Sequence, residues 1–133
     1  MPRTQTAPRL SLVPDGSSTS LGLVEPKWTT RKGLLRIRSL NDSGHWTLQL
    51  DGELDLSNCG VLTDELALAE TSAETITVDL RGLTFMDSSG LHVLTDAHAR
   101  SGPDGWLRLR SGNRAVQRVF RLTGTEDRLP FVG

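Results

Sequence analysis

One cysteine, Cys59, stands alone in 133 residues. No internal disulfide can form, which excludes a stapled, secreted scaffold. Long apolar runs are missing as well. Nothing approaches the roughly 18 residues that cross a bilayer, and the N-terminus lacks the apolar stretch of a secretory signal. A surplus of positive charge is the third absence. Fifteen basic against sixteen acidic side chains leave a net charge of −1, whereas domains that hold nucleic acid by neutralising phosphates usually carry a clear positive excess. The expectation is a cytoplasmic protein with no direct nucleic-acid partner and no membrane anchor. The one basic stretch, "WLRLRSGNRAVQR", places Arg108 and Arg110 on alternate strand positions and adds Arg114 and Arg118. It reads as a solvated edge and helix face.

What is present falls into two regions. Residues 1–32 are expected to form a flexible N-terminal tail. Four of the six prolines (Pro2, Pro8, Pro14, Pro26) lie there among many Ser and Thr, and such composition buries too little apolar area to offset the entropy of ordering. Residues 33–133 form the expected domain, long enough for a modest core without metals or disulfides.

Within the domain, "LLRIRSL" alternates as a half-buried strand, "NDSG" reads as a hairpin turn, and "HWTLQL" resumes the alternation. Gly52 in "DGELD" is placed to relieve a bend. A helix follows, with Ser57 or Asn58 as its cap and Cys59, Leu62, Leu66 and Ala69 at spacings of three and four. "TITVDL" is a strand, and Ser88 to about Arg100 is a second helix stopped by "SGPDG". "WLRLR" makes another strand. A third helix turns Val116, Val119, Phe120 and Ala115 inward and ends at Thr123-Gly124. "LPFVG" suits a short edge strand, because Pro130 cannot donate in a central ladder. A hairpin followed by alternating helices and strands defines an α/β fold, a mixed β-sheet with helices packed against it.

The chemistry concentrates in "FMDSSGLHVL", Phe85 to Leu94. Asp87 or Ser88 is placed to cap the helix, a plain structural role of about 1 kcal/mol. A cap needs one oxygen, so a hydroxyl is left over. A hydroxyl at a helix start is accessible, and a phosphate on it would meet the positive helix end and its free N–H groups. Any partner lying on this surface would feel the added charge as repulsion and as desolvation cost. Such a group switches docking more readily than folding.

Three stretches, "LDGELD" (Leu50 to Asp55), "VDLRGLTFMDSSGLHVL" (Val78 to Leu94) and "NRAVQRVFRLTG" (Asn113 to Gly124), resemble in order and spacing the STAS domains of bacterial anti-sigma factor antagonists. The resemblance runs from Leu34 to near the C-terminus, and its middle motif is highly specific. It implies a single STAS-type domain whose motif serine, here Ser88, is phosphorylated by an anti-sigma factor serine kinase that binds the ATP. The unphosphorylated antagonist binds that kinase and frees a sigma factor. The phosphorylated form cannot, until a serine phosphatase resets it. Asp55, Asp87, Ser88, Ser89, Gly90, Leu91 and His92 become the partner-binding candidates. One departure is His92, where many relatives carry a small residue, often glycine. Its plain reading is a half-exposed helix residue, and beside the switch an imidazole is placed to narrow the choice of kinase. The resemblance also admits a scaffold or structural STAS subunit of a stress-signalling or lipid-transport complex.

Enzymatic readings find little support. His92 and Asp96 share a helix face, but His98 lies six residues from His92 and points elsewhere, so a metal has no third ligand. The surroundings of Ser88 are not the G-x-S-x-G elbow, and the scattered histidines supply no base held by a third group. Cys59 sits among apolar helix positions as a small core residue. With no glycine-rich phosphate loop either, the chain is expected to be a binding protein without cofactors or metals, not an enzyme.

Overall fold

The computed structural model describes residues 30–132. The chain runs β1 (Thr30–Lys32), β2 (Leu35–Asp42), β3 (His45–Leu54), α1 (Cys59–Glu70), β4 (Thr75–Met86), α2 (Ser88–Ser101), β5 (Leu107–Arg110), α3 (Arg114–Leu122) and β6 (Phe131–Val132). The strands form one sheet in the order β1-β2-β3-β4-β5-β6. The first three are antiparallel, and β3 to β6 run parallel. The expected mixed α/β sheet is therefore present. The boundary expected at residue 33 falls inside it, because Thr30–Lys32 pair with β2. The rest of the tail, residues 1–29, lies outside the described residues.

Alternation of side chains decides which face is covered. Leu35 and Ile37 of β2, Leu48 and Leu50 of β3, Ile76, Val78 and Leu80 of β4, and Leu107 and Leu109 of β5 all join one buried cluster. Leu62 and Leu66 of α1, Leu91 and Leu94 of α2, and Val116 and Phe120 of α3 complete it. The three helices thus lie on one face of the sheet. The opposite face shows the intervening residues, including Arg36 paired with Asp51 and Arg38 donating to the Gln49 amide at 2.8 Å.

The turn between β2 and β3 has positive φ at both Ser43 (54°) and Gly44 (92°), the backbone of a two-residue hairpin. Asn41 Oδ1 accepts from the Gly44 N–H at 2.9 Å and holds the turn closed. Both β3 and β4 are longer than their alternation announces. The ladder shifts register between Gln49 and Asp51 and again between Gly52 and Glu53, then continues to Leu54 and Met86. Gly52 makes this possible: its φ is 98°, and a Cβ there would lie 1.8 Å from the Leu34 carbonyl oxygen. The expected bend is therefore a bulge within a continuing strand, and that extension carries β4 up to the helix that bears Ser88.

The third helix differs from expectation on one face. Ala115 is exposed and Gln117 is buried in its place. The Gln117 amide is satisfied there, accepting from the Gly112 N–H at 2.8 Å and donating to Glu126 at 2.9 Å. At the sheet's edge Phe131 of β6 meets Phe120 edge-on with centroids 5.0 Å apart. The Pro130 carbonyl accepts from Leu109 N at 3.0 Å, so the proline contributes its only backbone hydrogen-bonding group.

Candidate functional site

The site forms where β3 and β4 end side by side. Leu54 faces Met86 across the ladder, and both are buried. The next residue of each chain turns outward, Asp55 into the loop before α1 and Asp87 into the start of α2.

Asp87 organises this end. Its backbone N–H donates to the Leu54 carbonyl at 3.2 Å. Its Oδ1 accepts from the Ser89 N–H at 2.8 Å, capping α2, and its Oδ2 accepts from the Leu56 N–H at 3.3 Å. One carboxylate therefore ties the helix start to the loop that follows β3. Of the two capping alternatives, Asp87 is the one used. Among the described residues neither the Ser88 nor the Ser89 hydroxyl has a hydrogen-bond partner. Ser88 is exposed and Ser89 half-buried.

The loop side is held by Asn58, which is 1 % exposed. Its side chain makes no helix cap. It turns inward instead: Oδ1 accepts from the Asp55 N–H at 2.9 Å, and Nδ2 donates to the Glu53 carbonyl at 2.9 Å. Sequence reasoning gave Asn58 only a capping role and missed this bridge. An asparagine three residues beyond Asp55 was its one local trace. The Asp55 carboxylate accepts from both the N–H and the hydroxyl of Ser57, at 2.9 and 2.6 Å.

The seven partner-binding candidates separate by burial. Ser88 and His92 are exposed, and Asp55, Asp87 and Ser89 are half-buried. Gly90 and Leu91 are buried, so they form the floor of the site and not its surface. Gly90 packs so closely that a Cβ would lie 2.7 Å from Leu54 Cδ2 and 2.8 Å from Met86 Cγ. His92 and Asp96 are both exposed on α2, while His98 is half-buried farther along the helix. Among the described residues no group of three His, Cys, Asp or Glu is arranged to hold a metal. Cys59 is partly buried against the core. Of the basic stretch, Arg110, Arg114 and Arg118 are exposed, and Arg108 donates to the Gly105 and Leu107 carbonyls at 2.8 and 2.9 Å.

Charge around Ser88 is negative. Glu53, Asp55 and Asp87 surround the strand ends, and among the described residues none of them forms an ion pair. Away from the site, the Asp79 carboxyl of β4 is buried. Burial pushes that carboxyl up, but the paired hydrogen bonds and charge of Arg81, with the charge of Arg110, hold it below its ordinary value. Among the described residues no helix is long and apolar enough to cross a membrane.

One sheet covered on one face by three helices, with a serine-bearing helix start at the end of paired parallel strands, defines a two-layer α/β domain. Residues 39–132 match the family described as "Mlab, STAS domain", and the chain belongs to that family. Solved structures share the fold. An anti-sigma factor antagonist from Mycobacterium paratuberculosis superposes with a TM-score of 0.66 at 21% identity, over 73% of this chain and 84% of that one. The anti-sigma factor antagonist SpoIIAA in its unphosphorylated form gives 0.60 at 21% identity, over 73% and 88%. The Bacillus cell fate determinant SpoIIAA in its phosphorylated form gives 0.51 at 21% identity, over 74% and 91%. No curated protein sequence matches the chain.

Proposed function

We propose that this protein is an anti-sigma factor antagonist. It binds an anti-sigma factor serine kinase, frees a sigma factor by doing so, and is switched off by phosphorylation of Ser88. The observation that carries the reading is the division of labour at the start of α2. Asp87 supplies the capping oxygen, which leaves the exposed Ser88 hydroxyl without a structural task. Structural neighbours that are themselves anti-sigma factor antagonists, one of them solved in a phosphorylated form, support the same reading.

In this scheme the chain supplies only the acceptor. The Ser88 oxygen attacks the γ-phosphorus of ATP held by the partner, ADP leaves, and the serine proton passes to a base of the partner. The product carries about −1.5 to −2 charges at neutral pH. The free N–H groups of the first turn of α2 favour that charge, so the domain tolerates it. A kinase docked over Asp55, Asp87, Ser88, Ser89 and His92 does not. A serine phosphatase restores the binding form.

Incubating the protein with each serine-kinase anti-sigma factor of its source genome and ATP, then mapping phosphate by mass spectrometry, tests the reading. Phosphate is expected on Ser88 and absent from Ser88→Ala. Label on neither Ser88 nor Ser89 with every kinase would overturn it. A large assembly on gel filtration, indifferent to phosphorylation, would point to a scaffold subunit instead.

A further inference from the structure

Of the seven exposed large apolar side chains among the described residues, three gather at the end of the sheet that bears Ser88. Leu56 is 76% exposed, Leu34 66% and Phe85 46%. The other four, Leu40, Leu68, Leu122 and Val132, are scattered over β2, α1, α3 and β6.

Backbone geometry places the three beside the switch. The Leu56 N–H donates to Asp87, the residue before Ser88. Phe85 alternates with the buried Met86 on β4, so it faces away from the helices, and Glu53 lies opposite it in the ladder. The Glu53 N–H in turn donates to the Leu34 carbonyl at 3.1 Å. Leu34, in the turn before β2, therefore lies beside Glu53 of β3, and Glu53 beside Phe85 of β4. Next to them opens a groove of about 330 Å³ walled by Gly33, Leu34, Gly52 and Thr84, with the charged side chains of Arg31, Arg36, Asp51 and Glu53 along it. Exposed apolar groups concentrated at one place mark a docking surface.

Resting on the partner-switch reading, we propose that Leu56 and Phe85, with Leu34 at the rim, are the apolar anchors that hold the anti-sigma kinase, and that phosphate on Ser88 blocks docking by desolvation and not by charge repulsion. The carboxylates next to Ser88 favour this version. Glu53, Asp55 and Asp87 already make the surroundings acidic, so a partner held mainly by its cations would bind the phosphorylated form more tightly. That is the opposite of an off-switch. A partner seated on Leu56 and Phe85 must instead bury the phosphate dianion beside apolar groups, where water can no longer solvate it.

The test uses the full-length chain and the kinase found to phosphorylate it, with Kd measured by calorimetry in about 0.05 and 0.5 M NaCl, a range over which screening becomes strong. Leu56→Ser and Phe85→Ser are each expected to weaken binding about thirty-fold, the size of an interface hot spot. The unmodified protein is expected to lose less than about three-fold in affinity between the two salt concentrations, whereas charge pairing would lose far more. The Ser88-phosphorylated protein is expected to stay unbound at both. Wild-type affinity in both variants, or binding of the phosphorylated protein restored by high salt, would overturn the proposal. Leu56→Ser keeps the test decisive should Phe85→Ser fold poorly, because a side chain so exposed adds little to the core. Failure of the unmodified protein to bind any such kinase would instead sink the partner-switch reading itself.

Discussion

Asn58 and Asp87 are short polar side chains that each satisfy two backbone groups, Asn58 at the end of β3 and Asp87 across α2 and the loop before α1. Asn58 is buried, so its loss strands the Asp55 N–H and the Glu53 carbonyl away from water. Asn58→Ala is expected to cost about 1–3 kcal/mol, the price of leaving such groups unpaired. Asp87→Ala removes a helix cap and a bond to the next loop, with an expected loss of about 1–2 kcal/mol. Asp87→Asn keeps an acceptor oxygen for the Ser89 N–H and is expected to lose much less. Urea denaturation of the three variants checks the order. Equal stability for Asp87→Ala and Asp87→Asn would mean that the carboxylate is not the working cap.

At the scale of the element, two glycines in helix first turns look alike in sequence and behave differently in space. Gly90 of α2 is wedged against Leu54 and Met86, whereas a Cβ on Gly60 of α1 would meet nothing within 4 Å. Gly60→Ala is expected to stabilise by about 0.4–1 kcal/mol, because alanine narrows the unfolded ensemble at no steric cost. Gly90→Ala is expected to destabilise by about 1–3 kcal/mol, because crowding in a packed core outweighs the gain in helix propensity. Thermal unfolding separates the two signs. This contrast also marks what was legible beforehand. The order of elements from β2 onward, the hairpin and the apolar stripe of α1 follow from local periodicity and stand in the structure, whereas β1 and the inward face of α3 at position 115 do not follow. The full length of β4 does not follow, because Gly82 and Thr84 interrupt its alternation and only pairing with β3 across the shifted register keeps it extended. Gln117 was passed over for Ala115 because its partners, Gly112 N–H and Glu126, are brought to it by the fold. At the candidate site, the Asp-Ser-Ser-Gly run marked where α2 begins and named Asp87 among its capping candidates. The burial of Gly90 and Leu91 and the bridging by Asn58 depend on tertiary contacts that no short window contains.

For the whole molecule, the question is whether the proposed switch at Ser88 would act on the architecture or only on its surface. Ser88 projects from the first turn of α2, while the core beneath it is closed by Leu54, Met86 and Leu91. A negative group at that position approaches no buried apolar side chain and meets the positive end of a helix, an interaction worth about 0.3–1 kcal/mol in its favour. It also adds repulsion from Asp87 one residue away, of similar size when both groups are wet. The two effects nearly offset, so Ser88→Asp is expected to move the melting temperature of the full chain by no more than about 4 °C. Amide hydrogen exchange should agree: protection along β4, α2 and β3 should be the same in Ser88→Asp as in the unmodified protein, with differences confined to the first turn of α2 and the loop at Leu56 that Asp87 tethers. A drop of ten degrees or more, or lost protection spreading into the sheet, would mean that the anion loosens the fold itself. Docking would then be controlled by the stability of the domain, and the exposed serine would be a trigger for unfolding and not a gate on a rigid surface.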